Sequence, residues 1–233
     1  MSVLDVSLVS DIPAFRGIEG ADLKQLLTDA TSKRYEKDDS IFRQGEEAHS
    51  FFLLLDGYIR VFRITPDGDQ VITRYIPNGE LFGIAQALGL DHYPANAAAA
   101  VECVVLFWPG TYWKAITEKH PTFATNTYQT VGTRLQETQE RLVELATERV
   151  EQRVANAVLN LAQHAGKQTD NGILIDFPIS RQDISEMTGT TLHTVSRLLS
   201  AWEHGGIVKS ERKKITVLEG HQLAVIAAGN RPE

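Results

Sequence analysis

Leu192, His193, Ser196 and Arg197 set an apolar side chain, an imidazole, a hydroxyl and a guanidinium on one side of a single helical segment. Together they can donate to and accept from the polar edges of planar ring systems, and the guanidinium can do so with two parallel hydrogen bonds. The stretch around them, residues 179–205, reads as two short helices joined at a glycine corner. Ile184 and Met187 are expected to face inward from the first helix, and Val195, Leu198, Leu199 and Trp202 from the second. Gly189 permits the sharp turn between them, which a Cβ would resist. Gly205-Gly206 ends the second helix. Ile207-Val208-Lys209 and Lys214 to Leu218 then form two strands around Ser210-Glu211-Arg212-Lys213. A corner of this kind also occurs in ordinary all-α cores. The adjoining hairpin with three consecutive cations favours a winged helix that meets a phosphate backbone and the edges of a groove. On that reading Leu192, His193, Ser196 and Arg197 address bases, and Arg181, Thr190, Thr191, Lys209, Arg212, Lys213 and Lys214 address the backbone.

The elements that must hold this surface are legible upstream. Asp11, Pro13, Leu23, Leu26 and Leu27 mark an N-terminal helical stretch. From Tyr35 to Trp108 short apolar runs alternate with turns such as Asp56-Gly57, Thr65-Pro-Asp-Gly-Asp69 and Pro77-Asn-Gly79, the pattern of a β-sandwich or jelly roll. Residues 121–148 return to helix. There Tyr128, Val131, Leu135, Thr138, Leu142 and Leu145 recur at alternating spacings of three and four on an otherwise polar helix. Such a narrow seam pairs with a second helix, here that of another copy of the chain, or packs on its own sandwich. The expected architecture is α+β: a β jelly-roll sensor domain over 1–120, a long dimerisation helix over 121–148 with a hinge near Glu148–Arg149, and a winged helix-turn-helix domain over 149–233.

With these residues in place, the chain resembles the CRP/FNR superfamily of bacterial transcription regulators over roughly residues 12–220. The resemblance implies a homodimer on palindromic, TTG-type double-stranded promoter DNA, with Arg197 on a guanine and Ser196 beside it. It also implies a contact of Asp67 and Asp69 with RNA polymerase, although an ordinary hairpin turn explains those residues equally well. Related branches carry Glu where His193 stands, so the inner half of the half-site should differ from TTGAT. Cyclic-nucleotide-binding members place a Glu and an Arg on the ligand. Here Ile84 stands at the first place and Pro94 or Ala95 at the second, so cyclic AMP is not expected. The single cysteine, Cys103, cannot ligate an iron–sulfur cluster. By these absences the chain looks closest to the NnrR/DNR-type activators of denitrification, which respond to nitric oxide. Their haem would find candidate ligands in His92 first, then His49, His120 and Cys103. The small apolar stretch from Phe82 to Ala100 suits a flat hydrophobic cofactor, or simply close packing between strands.

The formal charge of −7 is unevenly spread. Residues 149–233 carry 10 Lys and Arg against 9 Asp and Glu, and residues 1–148 carry 13 against 21. DNA binding must therefore rest on a local basic patch. No phosphate loop, Gly-x-Ser-x-Gly or His-Glu-x-x-His motif supports an enzyme, and isolated His49 and His92 do not make the metal site of a cupin-like enzyme, the alternative reading. No apolar run is long enough for a membrane span, and the first ten residues lack the features of an export signal, so a cytoplasmic protein is expected.

Overall fold

The computed structural model describes residues 9–230, and the expectation about an export signal falls almost wholly outside them. Two compact units emerge, Met1–Arg63 with Arg74–Glu137, and Ile64–Thr73 with Thr138–Glu233. The division runs through the long helix at residues 137 and 138, rather than at the expected boundaries.

In the first unit, β1 (Thr31–Tyr35), β2 (Ser40–Phe42), β3 (Ser50–Asp56), β4 (Ile59–Ile64), β5 (Gln70–Ile76), β6 (Leu81–Phe82), β7 (Asn96–Ala99) and β8 (Cys103–Pro109) build two antiparallel four-stranded sheets. Their orders are β1-β8-β3-β6 and β2-β7-β4-β5. The helices are α1 (Gly20–Thr28), α2 (Tyr112–Lys119) and the first part of α3 (Pro121–Thr147).

Strand β3 reads Ser-Phe-Phe-Leu-Leu-Leu-Asp, and its side chains alternate between two cores. Phe51 and Leu53 pack with Leu106 and Trp108 of β8 against Phe15, Leu23, Leu26, Trp113, Ile116 and Phe123. Phe52 and Leu54 face the second sheet, with Phe42, Ile59, Phe82, Tyr93, Ala97, Ala99, Cys103 and Val105. A sheet buried on both faces has a near-continuous apolar strand, as β3 does. The first core is closed by the Trp108 indole, whose Nε1 donates to the Leu26 carbonyl at 2.9 Å. The second is filled with rings: Phe42 stacks on Tyr93 at 3.9 Å between centroids, and Phe52 on Phe82 at 5.1 Å. Gly83 sits among them at φ +64°, and a Cβ there would stand 2.6 Å from Phe52 Cδ2. Position 83 is thus glycine for both conformation and space.

In the second unit, α4 (Val150–Ala165), α5 (Arg181–Thr188), α6 (Leu192–His204) and α7 (Gly220–Ala227) accompany β9 (Gly166–Thr169), β10 (Gly172–Ile175), β11 (Val208–Glu211) and β12 (Lys214–Val217). The strands form one sheet ordered β11-β12-β10-β9. The sequence points to β11 and β12 through their apolar runs and basic turn. It gives weaker notice of β9 and β10, whose only marker is the turn Asp170-Asn171-Gly172 ahead of Ile173-Leu174-Ile175. Ile64–Thr73, the turn between β4 and β5 with the first residues of β5, also belongs to this unit, and Gln70 donates to Glu186 Oε2 at 2.7 Å.

Candidate nucleic-acid interface

Helix α5 starts on a reciprocal cap. The Asp183 amide donates to Ser180 Oγ at 3.1 Å, and the Ser180 amide donates to Asp183 Oδ2 at 2.7 Å. It stops at Gly189, which is left-handed at φ 61°, ψ 38°. Helix α6 starts three residues later, at Leu192. The Thr194 amide donates to Thr191 Oγ1 at 3.2 Å, so Thr191 is spent as the cap while its side chain stays exposed. Val195, Leu198, Leu199 and Trp202 are buried. The 3.6-residue period therefore leaves His193 and Arg197 exposed, Leu192 46 % exposed and Ser196 half-buried at its edge. The four residues expected to address bases thus share the outward face of α6.

The face of α5 differs from the sequence expectation in one respect. Ile184 is buried, but Met187 is only half so, and Ser185 and Thr188 take the remaining inward places. Their hydroxyls donate back along the helix, to Gln182 O at 2.8 Å and Ile184 O at 2.7 Å. A hydroxyl satisfied this way can be buried without an outside partner.

The wing is anchored to both helices. Arg181 Nη2 donates to Ser210 Oγ at 3.3 Å, the Ser210 amide donates to Glu203 Oε1 at 3.1 Å, and the Ile179 amide donates to the Lys213 carbonyl at 3.2 Å. At the tip Lys213 adopts φ 58°, a left-handed conformation that a lysine rarely takes. Lys209 pairs with Glu211 at 2.9 Å, and this bond holds the Glu211 carboxyl below the usual carboxylate range. Arg212, Lys213 and Lys214 are exposed. The outward face of α6 and the wing cations belong to one unit whose internal bonds fix their mutual geometry. Hydrogen-bonding side chains on an exposed helix beside clustered cations can read an edge pattern while neutralising phosphates.

On α3, Tyr128, Leu135, Leu142 and Leu145 are exposed, at 50 %, 59 %, 62 % and 44 %, and Thr138 is exposed with them. Val131 departs from the seam, being half-buried against the core around Phe123. Asp67 and Asp69 are exposed in the turn between β4 and β5, where the Asp69 amide donates to Thr65 Oγ1 at 3.1 Å.

The sensor candidates are not brought together. His92 is exposed, and its backbone bridges that of Glu47. His49 is paired with Glu47 at 2.9 Å on the surface. His120 is buried 3.9 Å from Asp22. Cys103 is buried, its thiol donating to Tyr58 O at 3.3 Å and Val101 O at 3.2 Å, and burial pushes its pKa up, away from the thiolate a metal needs. Among the described residues no group of three or more His, Cys, Asp or Glu could hold a metal ion. Aromatic rings fill the space between the sheets.

Residues 32–120 match the cyclic nucleotide-binding domain model, and residues 152–226 the Crp-like helix-turn-helix domain model. The fumarate and nitrate reduction regulatory protein of Escherichia coli (strain K12) is 26 % identical over 199 residues, 85 % of this chain and 79 % of that protein. The transcriptional activator protein FnrA of Stutzerimonas stutzeri is 24 % identical over 194 residues, 83 % and 79 % of the two chains. Among solved structures, FixK2 from Bradyrhizobium japonicum superposes with a TM-score of 0.75 at 23 % identity, over 84 % of this chain and 96 % of that one.

Proposed function

The chain is a DNA-binding transcription regulator of the CRP/FNR family, whose members matched here are regulators and not enzymes, and on that premise we propose that it acts as a homodimer on a palindromic, TTG-type promoter site. The observation that carries the proposal is the outward face of α6, where His193, Ser196 and Arg197 lie beside the wing cations in one bonded unit. The exposed apolar stripe of α3 supplies the surface for the second copy, and a two-fold protein matches a two-fold site. Asp67 and Asp69 offer an exposed acidic turn to RNA polymerase, which makes the dimer an activator.

The test is a gel shift on palindromic promoter DNA over a range of salt. Three wing cations from each copy, six phosphate contacts in the dimer, should give a log–log salt slope of about −5. Binding that is indifferent to salt, or equal on palindrome and random duplex, would overturn the reading.

What supports a response to nitric oxide through haem, and so control of nitrogen-oxide respiration genes, is the family resemblance and the exposed imidazole of His92 alone. The test is haem uptake by the purified protein, followed by the spectrum under nitric oxide for the wild type and His92→Ala. No uptake removes the cofactor, and an unchanged His92→Ala spectrum removes the ligand.

A further inference from the structure

The corner of the helix-turn-helix is held from outside. A helix leaves its last carbonyls without partners of its own and carries a partial negative charge at that end. At the end of α5 the Ser185 carbonyl accepts from the Gly189 and Thr190 amides, the latter at 3.2 Å, as the chain turns. Two further carbonyls, those of Met187 and Thr188, accept from two arginines on other elements. Arg141 Nη2, from the last turns of α3, donates to Met187 O. Arg153 Nε, from α4, donates to Thr188 O at 3.2 Å.

Neither arginine is a loose surface cation. Arg141 is three-quarters buried and its other branch pairs with Glu144 at 2.7 Å. Arg153 spans two elements, since its Nη1 also donates to the Glu148 carbonyl at 3.0 Å, at the joint between α3 and α4. Glu148 is itself fixed by Asn156 Nδ2 at 3.0 Å to Oε2. A guanidinium presents several donors in a rigid fork, so it can tie two carbonyls at a set angle where an ammonium would swing. Arg141 is next to Leu142 of the outward stripe, and Met187 is two residues before the corner that leads into α6. One side chain thus joins the end of the long helix to the root of the recognition helix.

We propose that Arg141 and Arg153 are positioning residues that set the angle of α6 against the end of α3, and that they thereby fix the half-site spacing the dimer accepts. The inference rests on the homodimer reading. In a two-fold dimer, the separation of the recognition helices is inherited from how each is fastened to the dimer helix, and one added base pair both lengthens and rotates the half-site. The two arginines touch no DNA in this scheme, so their loss should relax spacing rather than base preference.

The experiment uses the full chain and measures affinity by fluorescence anisotropy on palindromes whose central spacer is the best one, one base pair shorter and one longer. Wild type is expected to prefer the best spacer by about tenfold, and Arg141→Gln with Arg153→Gln should bring the three affinities together. Base preference within the half-site should be unchanged. If the double variant loses affinity equally on all three spacers, with the preference intact, the arginines only support the fold and the proposal is overturned. Should the double variant not fold, Arg141→Lys alone, which keeps the charge and loses the fork, is read in the same way. Wild type that prefers no palindrome over a single half-site removes the homodimer reading, and this inference falls with it. A palindrome preference that survives in both proteins with unchanged spacing strictness removes this inference alone.

Discussion

Arg197 is the residue on which specificity should turn. Its exposed place on α6 suits bidentate contact with guanine O6 and N7. Arg197→Ala should cost about 1–3 kcal/mol at one base pair and little elsewhere, measured by competition among single-base variants of the site. Uniform weakening would make it a phosphate contact. Arg212, Lys213 and Lys214 should behave in that sequence-blind way, each substitution removing two charges from the dimer and lowering the magnitude of the salt slope by about two. Lys213 adds a twist of its own, because its φ of 58° favours glycine. Lys213→Gly should raise the melting temperature while weakening DNA binding, opposite signs from one substitution, read by calorimetry and anisotropy. At this scale the sequence was informative where a period governs: the inward and outward residues of α6 follow from spacing alone. Ser185 and Thr188 were not legible, because their burial depends on hydroxyls bonding back to their own helix, which residue type does not disclose.

The exposed stripe of α3 belongs to the scale of elements. Leu135 and Leu142 are 59 % and 62 % exposed, an arrangement that two helices would relieve by covering one another. Replacing both with charged residues should leave monomers in sedimentation and abolish promoter binding. A double variant that stays dimeric places the interface elsewhere. The heptad was plain in the sequence, but the fate of Val131 was not, since only the three-dimensional core around Phe123 decides that one seam residue turns to its own unit. Strands show the same limit. Strand β3 was visible as an apolar run, yet which of its residues serve which core follows from having a layer on each side. Strand β9 reads Gly-Lys-Gln-Thr and offers no apolar residue to mark it, which leaves its partner β10 without a visible second half of the hairpin. The turn between β4 and β5 was visible from Thr65-Pro-Asp-Gly-Asp69. Reversing the charge of Asp67 and Asp69 should lower transcription in a reconstituted assay without changing DNA affinity. Unchanged transcription leaves it a plain turn.

For the whole molecule, the order of β roll, long helix and helix-turn-helix part was legible because each stretch has its own periodicity. The grouping of residues 64–73 with the C-terminal unit was not, since it arises from contacts between residues far apart in sequence, such as Gln70 with Glu186. The charge of −7 does not argue against DNA binding, because the acidic surplus lies in residues 1–148 and the proposed interface has its own handful of cations on the wing. The burial of Cys103 has a practical consequence. The chain's one thiol is shut inside the roll and held protonated, so maleimide and nitroxide reagents should pass it by. A cysteine introduced at an exposed position, Ala146 near the end of α3 or His204 at the end of α6, then becomes the sole attachment point without any prior removal of native cysteine. The wild-type background is in effect already cysteine-free to a probe, and paired labels in a dimer would report, as a distance distribution, how far apart the two copies hold these positions with and without DNA.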